Sequence, residues 1–495
     1  MTTAQLARSR DVETRSADDL LSRQEIGAPP KAALPSVRLK SLDVFRGITI
    51  AGMLLVNNPG SGHTYEPLEH AAWNGWTPTD LIFPFFLFIV GVATPFSLGK
   101  RGQADSKAWL FLHILARGLS LFVLGELCYS IPSLNLDPAP AEFVALRILR
   151  VIAVAFLVIA FVLLLYPWKS KRAALIVPPI VAICYLALLL TIGAVNQHAI
   201  TSHIVGAKFN FGAGLLSPDR LRIPGVLQRI GVCYAVAASL ALLLSWRGIA
   251  IAIVTLLALY SAAMLLVPVP SKADPSVSVR GHLDRDDNLA HYLDVKLLGR
   301  HVYGAYADPE GILSTIPAIA TTLLGILAGL WLRTNRDMAF RCAGMLAFGV
   351  LAIILGVILD SAVMPINKQI WSTSFVVFTA GCALLGLGAC FYIIDMLGYQ
   401  QWSRPFEIYG LNAIFAFVLS AIVGRTMPML RWTDASSGKL VTLRGWLGQQ
   451  ASAIGSHIRI GSIENNQSLT YAVGYVLFFL LVMWILYRLK IFIKV

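Results

Sequence analysis

Charge is scarce in this sequence: 14% of its 495 residues are Asp, Glu, Lys or Arg, against about a quarter in soluble domains. Set beside 57% hydrophobic residues, that deficit excludes an ordinary soluble globule. Acid is scarcer than base, 27 against 40, for a net +13. In a soluble chain this excess points to nucleic acid; beside apolar spans it marks the cytoplasmic flank, and no nucleic-acid partner is expected. Cysteine is rare as well. The six, Cys128, Cys184, Cys233, Cys342, Cys382 and Cys390, all lie in apolar segments without metal-ligand or disulfide spacing. They read as small core residues, and no metal is expected. No basic stretch leads into a short apolar run at the start, so no cleaved signal peptide is expected. Residues 1–40, polar and carrying Pro29–Pro30, read as a flexible cytosolic tail.

What is present is a succession of apolar runs, each long enough to cross a hydrocarbon core of about 30 Å. Twelve are expected: roughly 42–58, 79–98, 109–130, 147–166, 173–194, 223–245, 248–268, 312–332, 339–360, 370–397, 404–424 and 469–489. The fold class is therefore all-α, a polytopic membrane helix bundle. With the N-terminus inside, the short inner loops hold Lys100, Arg101, Lys107, Lys169, Lys171, Arg172, Arg247, Arg333, Arg336, Arg341 and Arg404, and the C-terminus adds Arg488, Lys490 and Lys494. The short outer loops hold almost none: 59–78 has no Lys or Arg, and 361–370 has Lys368 alone. This positive-inside pattern places both termini in the cytoplasm and the first outer loop on the far side. Arg147 and Arg150 are a local misfit, expected to face a cavity or headgroups.

Ionisable groups within spans face the bundle interior or a wet cavity by default. Here they are Asp43 and Arg46 in span one, Asp80 at the outer end of span two, His113, Arg117 and Glu126 in span three, Arg229 in span six and Glu407 in span eleven. Each either pairs with another to fix helix packing or serves a site. The segment EHAAWNGWTPTDLIFPFFLFIVG, Glu69–Gly91, sets a histidine at the mouth of an apolar run. His70 is either a solvated loop residue or a general base. Asn57, ending span one on the same side, is a candidate orienting or oxyanion-stabilising partner; His63 is a weaker rival to His70. Trp73 and Trp76 read as interfacial anchors or sugar-stacking faces, with Asn74 and Asp80 as hydroxyl or amine partners. Asp308 and Glu310, in ADPEGILST, read either as acceptor ligands or as an ordinary helix start with Pro309 between them. Gly325 and Gly329, four apart, predict a close-packing helix face.

Seven blocks in order carry a family resemblance: SLDVFRGITIAGMLLVNN, the His70 segment, LRIPGVLQRIGVCY, YADPEGILSTIPAIATTLLG, PINKQIWSTSF, YGLNAI and LYRLKIFIKV. Together they resemble the heparan-α-glucosaminide N-acetyltransferase family of transmembrane acyltransferases, over most of 40–495. The resemblance implies an acetyl group taken from cytosolic acetyl-CoA and passed to a glucosamine amine on the other side. It also implies that His70 is the catalytic histidine and Asn57 its companion. Roughly 131–220, carrying two further spans, reads as an insertion into one transmembrane domain, 41–495. The short tail and compact inner loops suggest a bacterial inner-membrane member, with an amino sugar of the cell envelope as acceptor.

On this reading Arg46, Arg117 and His113 are expected at the phosphate end of acetyl-CoA, Arg suiting phosphate geometry. Trp73, Asn74, Asp80, Glu310 and Asp308 are expected at the acceptor. His70 acts as general base or as a transient acyl carrier. The expected partners are the lipid bilayer, acetyl-CoA and an extracytoplasmic amino-sugar or glycan acceptor; a homodimer is left open. Three alternatives stand: a transporter, against which the absence of a repeat between the halves counts, an O-acyltransferase of an envelope glycan, and a non-catalytic assembly component.

Overall fold

With no water to receive N–H and C=O groups in hydrocarbon, an apolar run of this length satisfies its backbone internally, as helix. A computed structural model describes residues 39–101, 105–130, 144–168, 170–201, 222–274, 276–303, 308–433, 438–458 and 461–493. The expected tail 1–40, save its last two residues, lies outside them, as do segments 131–143 and 202–221 of the expected insertion and the side chains of Arg147 and Arg150.

Helix α1 is Lys40–Asn57, α2 Ile82–Arg101, α3 Lys107–Ser130, α4 Val144–Leu165, α5 Lys171–Thr201, α6 Val226–Leu243 and α7 Trp246–Leu266. A loop region carries the short α8, Leu289–Leu298, before α9, Thr315–Leu332, and α10, Met338–Ala362. Then come α11, Thr373–Cys390, continued by a π-helical turn Phe391–Met396, α12, Arg404–Leu411, α13, Ala413–Thr426, α14, Leu443–Gly455, and α15, Ile463–Arg488. Two small hairpins, Val269–Pro270 with Ser278–Val279 and Arg431–Thr433 with Leu440–Thr442, are antiparallel. Among the described residues nine helices are long and apolar enough to cross a membrane.

A tenth crossing requires a correction. The run expected as one span at 404–424 is two helices, α12 and α13, meeting at 80°. Asn412 sits at the break, where its Nδ2 donates to Ile491 O (3.0 Å) and its Oδ1 accepts from Ile493 N (2.8 Å). An amide at mid-span thus ties the chain's final segment to the bend. Of the remaining expected spans, α1 carries Lys40, Asp43 and Arg46, and α4 is short in its apolar part. Cys184 also departs from expectation: it is exposed on the outward side of α5, while the other five cysteines are buried or half-buried.

The buried charges mostly do what packing requires. Arg46 donates to Asp43 Oδ1 (3.2 Å) and to Gly410 O (3.3 Å), joining α1 to α12. Gln228 Nε2 donates to Glu126 Oε1 (3.1 Å), joining α6 to α3. The expected close-packing face is present: a Cβ on Gly325 would lie 2.1 Å from Phe88 O, and one on Gly329 2.5 Å from Val92 O. With Gly91 opposite, α2 and α9 approach backbone to backbone, which a side chain forbids.

Gly325→Leu is therefore expected to separate α2 from α9 and destabilise the protein by about 1–3 kcal/mol or more. Gly474→Ala, on α15 with nothing within 4 Å of the added Cβ, is the control and is expected to be neutral. Thermal melts of both variants in detergent check this; equal melting temperatures would contradict the close approach.

Candidate active site

The segment after α1 turns on itself before α2. A 3₁₀ turn, Pro78–Leu81, begins behind a capping box in which Thr77 and Asp80 satisfy each other's backbone. Asp80 is 1% exposed. Its Oδ2 accepts from Ala71 N (3.0 Å), Thr77 N (3.1 Å) and Thr77 Oγ1 (3.2 Å). Its Oδ1 lies 2.7 Å from His70 Nδ1 and 3.2 Å from Lys368 Nζ. A carboxylate receiving this many donors and an ammonium is ionised and can only accept, so the proton of the short contact sits on His70 Nδ1. In the neutral ring the other nitrogen, Nε2, is then the one with the lone pair. His70 is half exposed, its partner fully buried: the imidazole is held from behind and open in front.

The surrounding residues hold the loop. Asn367 Nδ2 donates to Asn74 Oδ1 (3.1 Å), and Gly75 N donates to Ile366 O (2.7 Å), binding the His70 loop to the turn between α10 and α11. Trp73 Nε1 donates to Leu283 O (3.0 Å), and its ring meets His291 edge-on at 5.6 Å. It packs with the apolar cluster of Tyr260, Met264, Leu289 and Ile370. Trp76 is exposed, its ring 4.9 Å from Phe378. Trp73 and Asn74, expected at an acceptor, are thus engaged in holding the loop.

Asp308 and Glu310 have a partner the sequence did not reveal. Arg222 donates to Asp308 through Nε (2.9 Å) and Nη2 (2.5 Å), to Tyr129 OH through Nη1 (2.7 Å), and pairs with Glu310. Its guanidinium lies 4.7 Å from the Tyr303 ring and 5.3 Å from that of Tyr129. Burial opposes the charge on Arg222, but the hydrogen bonds to Asp308 and the charge of Glu310 outweigh it and raise its pKa above the ordinary arginine value. The only sequence signal was an arginine and two acids at the edges of two apolar runs.

Asn57 ends α1 exposed, and among the described residues no hydrogen bond joins it to His70. Of the residues expected at a phosphate group, Arg46 is engaged as described. Arg117 lies over the Tyr234 ring (4.9 Å), with its Nε unpartnered among the described residues. His113 is half-buried one turn away on α3. Arg46 and Arg117 sit on helices with different neighbours, α1 packing with α12 and α3 with α6.

A multi-pass helical bundle with a carboxylate-oriented histidine at one end is the class that fold and site define. Residues 38–205 match the family model described as heparan-alpha-glucosaminide N-acetyltransferase, catalytic. The chain is 28% identical over 473 residues to the human heparan-alpha-glucosaminide N-acetyltransferase, covering 83% of this chain and 58% of the relative. It is 26% identical over 481 residues to the mouse protein of the same name, covering 85% and 60%. The resemblance carried by the seven sequence blocks is borne out, while the chain spans about three-fifths of the length of these relatives.

The wall behind the His70 loop contains a buried carboxyl. Asp294 on α8 is buried, accepts from Ile312 N (2.8 Å), and has its carboxyl pushed up to about 7 by burial. The unfolded chain releases this proton near 3.8 while the folded one keeps it to about 7, so stability falls between those values by a few kcal/mol and then levels. Asp294→Asn is expected to flatten this slope and to melt higher than wild type at pH 8. Parallel slopes in melts from pH 4.5 to 8 would contradict the assignment.

Proposed function

We propose that the protein is an integral-membrane acetyltransferase that moves the acetyl group of cytosolic acetyl-CoA to the amine of a glucosamine-like sugar on the extracytoplasmic side. The observation that carries this reading is the His70–Asp80 contact, which sets the proton of a neutral ring on Nδ1 and so turns the lone pair of Nε2 away from Asp80. The names of the relatives supply the reaction class; the lysines and arginines gathered at the opposite end of the bundle support an extracytoplasmic His70 and cytoplasmic termini. A cell inner membrane and a cell-envelope acceptor go with this reading.

Acetyl-CoA, when bound, supplies an activated acyl group. Arg117, with an unpartnered Nε and a position in the opposite half of α3, suits its phosphates better than Arg46, which Asp43 and Gly410 occupy. His113, on the same face of α3, stands beside it. His70 Nε2 would accept the proton that the amine releases as its bond to the acetyl carbon replaces the thioester bond, Asp80 would stabilise the imidazolium as it forms, and the proton would then pass to the departing thiolate. Asp80 thus serves the base and not the acceptor. Asn57, exposed at the end of α1, is the group assigned to the acyl oxygen.

The test is acetyl transfer from labelled acetyl-CoA to glucosamine by protein in liposomes. His70→Ala is expected to abolish transfer, and Asp80→Asn to lower it by about 10²–10⁴-fold, as loss of an orienting carboxylate does elsewhere. Undiminished transfer by His70→Ala, or none by wild type to any amino sugar, would overturn the proposal.

A further inference from the structure

Lys368 is the lone cation of its loop and has no part in the chemistry proposed above. It stands at the tip of the turn between α10 and α11, where its Nζ lies 3.2 Å from Asp80 Oδ1 and 3.1 Å from His70 Nδ1. With Nδ1 protonated, the 3.1 Å contact sets two donors side by side, both directed at one carboxylate oxygen. The turn is built to hold it there. Asn367 N donates to Ser372 Oγ (3.0 Å), Ile370 N to Asn367 Oδ1 (3.2 Å), and Ile366 N to Asp360 Oδ1 (2.5 Å). Trp371 closes the turn with φ of +52°, a conformation unfavourable for a bulky residue. It is 1% exposed, wedged under the Arg229 guanidinium and bonded through Nε1 to Thr321 Oγ1 (3.1 Å). Strain at a buried tryptophan, sustained by packing on every side, fixes a lysine three residues before it and five before the start of α11.

We propose that Lys368 is a positioning residue that shares Asp80 with His70 and keeps the imidazole neutral, so that Nε2 remains available as a base. The inference rests on the function proposed above. A lone buried carboxylate against His70 would favour the imidazolium and so occupy Nε2 with a proton. A second cation on the same oxygen offsets that carboxylate and repels a charged ring, while leaving the Nδ1 hydrogen bond in place. The charged groups facing His70 are few: Asp80 from the 3₁₀ turn and Lys368 from the α10–α11 turn. Glu69, its chain neighbour, accepts from Thr64 Oγ1 (2.5 Å). Glu310 acts on Lys368 through its charge, and with Asp80 it counters the burial that draws the lysine below the ordinary ammonium range.

The test reads His70 without the proposed reaction. Diethyl pyrocarbonate modifies neutral imidazole, and peptide mass spectrometry follows His70 alone across pH 5–9 in the full-length detergent-solubilised protein. Lys368→Met is expected to move the midpoint of the profile up by about one unit, roughly a tenfold loss of reactivity below the wild-type midpoint. Lys368→Arg, which keeps the charge, is expected to restore it; should the Met variant aggregate, Lys368→Gln is read in its place. An unmoved midpoint in the uncharged variant, or an equal displacement in Lys368→Arg, overturns the proposal. A displaced midpoint in a protein that transfers no acetyl group sinks the function proposed above and leaves the role of Lys368 standing.

Discussion

Everything around the candidate site of this bundle depends on one buried carboxylate. Asp80, 1% exposed, is tolerable in that position because each of its oxygens is engaged. Two backbone N–H groups and a hydroxyl hold Oδ2, while Oδ1 faces an imidazole and an ammonium. Remove any one partner and the desolvation of the charge is no longer compensated. The carboxylate thereby fixes the path of the loop from Ala71 to Thr77, the rotation of the His70 ring and the place of the Lys368 turn together.

The helices make that constraint possible. Close approach of α2 and α9 at Gly91, Gly325 and Gly329 brings the start of α2, with Asp80 before it, next to the α9 wall. Trp371, bonded to Thr321 of α9, transmits the same wall to the Lys368 turn. Arg222, with Asp308 and Glu310, ties the approach to α6 to the approach to α9. The α8 segment closes from the other side through Trp73 and His291. The residues assigned to the proposed chemistry are thus carried by loops, and the loops are fixed by framework helices and buried polar contacts.

Much of this was legible in the sequence, for physical reasons. Length and apolarity dictate helices in a medium where no other backbone arrangement is satisfied, and all twelve expected segments are helical. The Gly325–Gly329 spacing foretold a close crossing because four residues bring side chains to one face. The break at Asn412 was missed because a single amide hardly dents the hydropathy of its neighbours. His70 stood out as a histidine in an outer loop without lysine or arginine, at the mouth of an apolar run. Its true partner did not, since Asp80 reaches it only after a turn that the spacing of ten residues does not reveal. Lys368 and Arg222 come to the acids they meet from 288 and 86 residues further along or back, distances over which sequence pattern is silent. Trp73 and Asn74 were expected at a ligand because of their chemistry, but folding commits that chemistry to holding the loop.

The central claim is that Asp80 holds the proton of His70 on Nδ1. Nitrogen-15 solid-state NMR of histidine-labelled protein in lipid, with His70→Gln used to assign the signal, tests it most directly. The account predicts a neutral ring at pH 8 with Nδ1 protonated, its proton coupled to a carboxylate, and Nε2 bare. A neutral His70 carrying its proton on Nε2 would contradict it, because the ring would then present a donor where the chemistry needs a base.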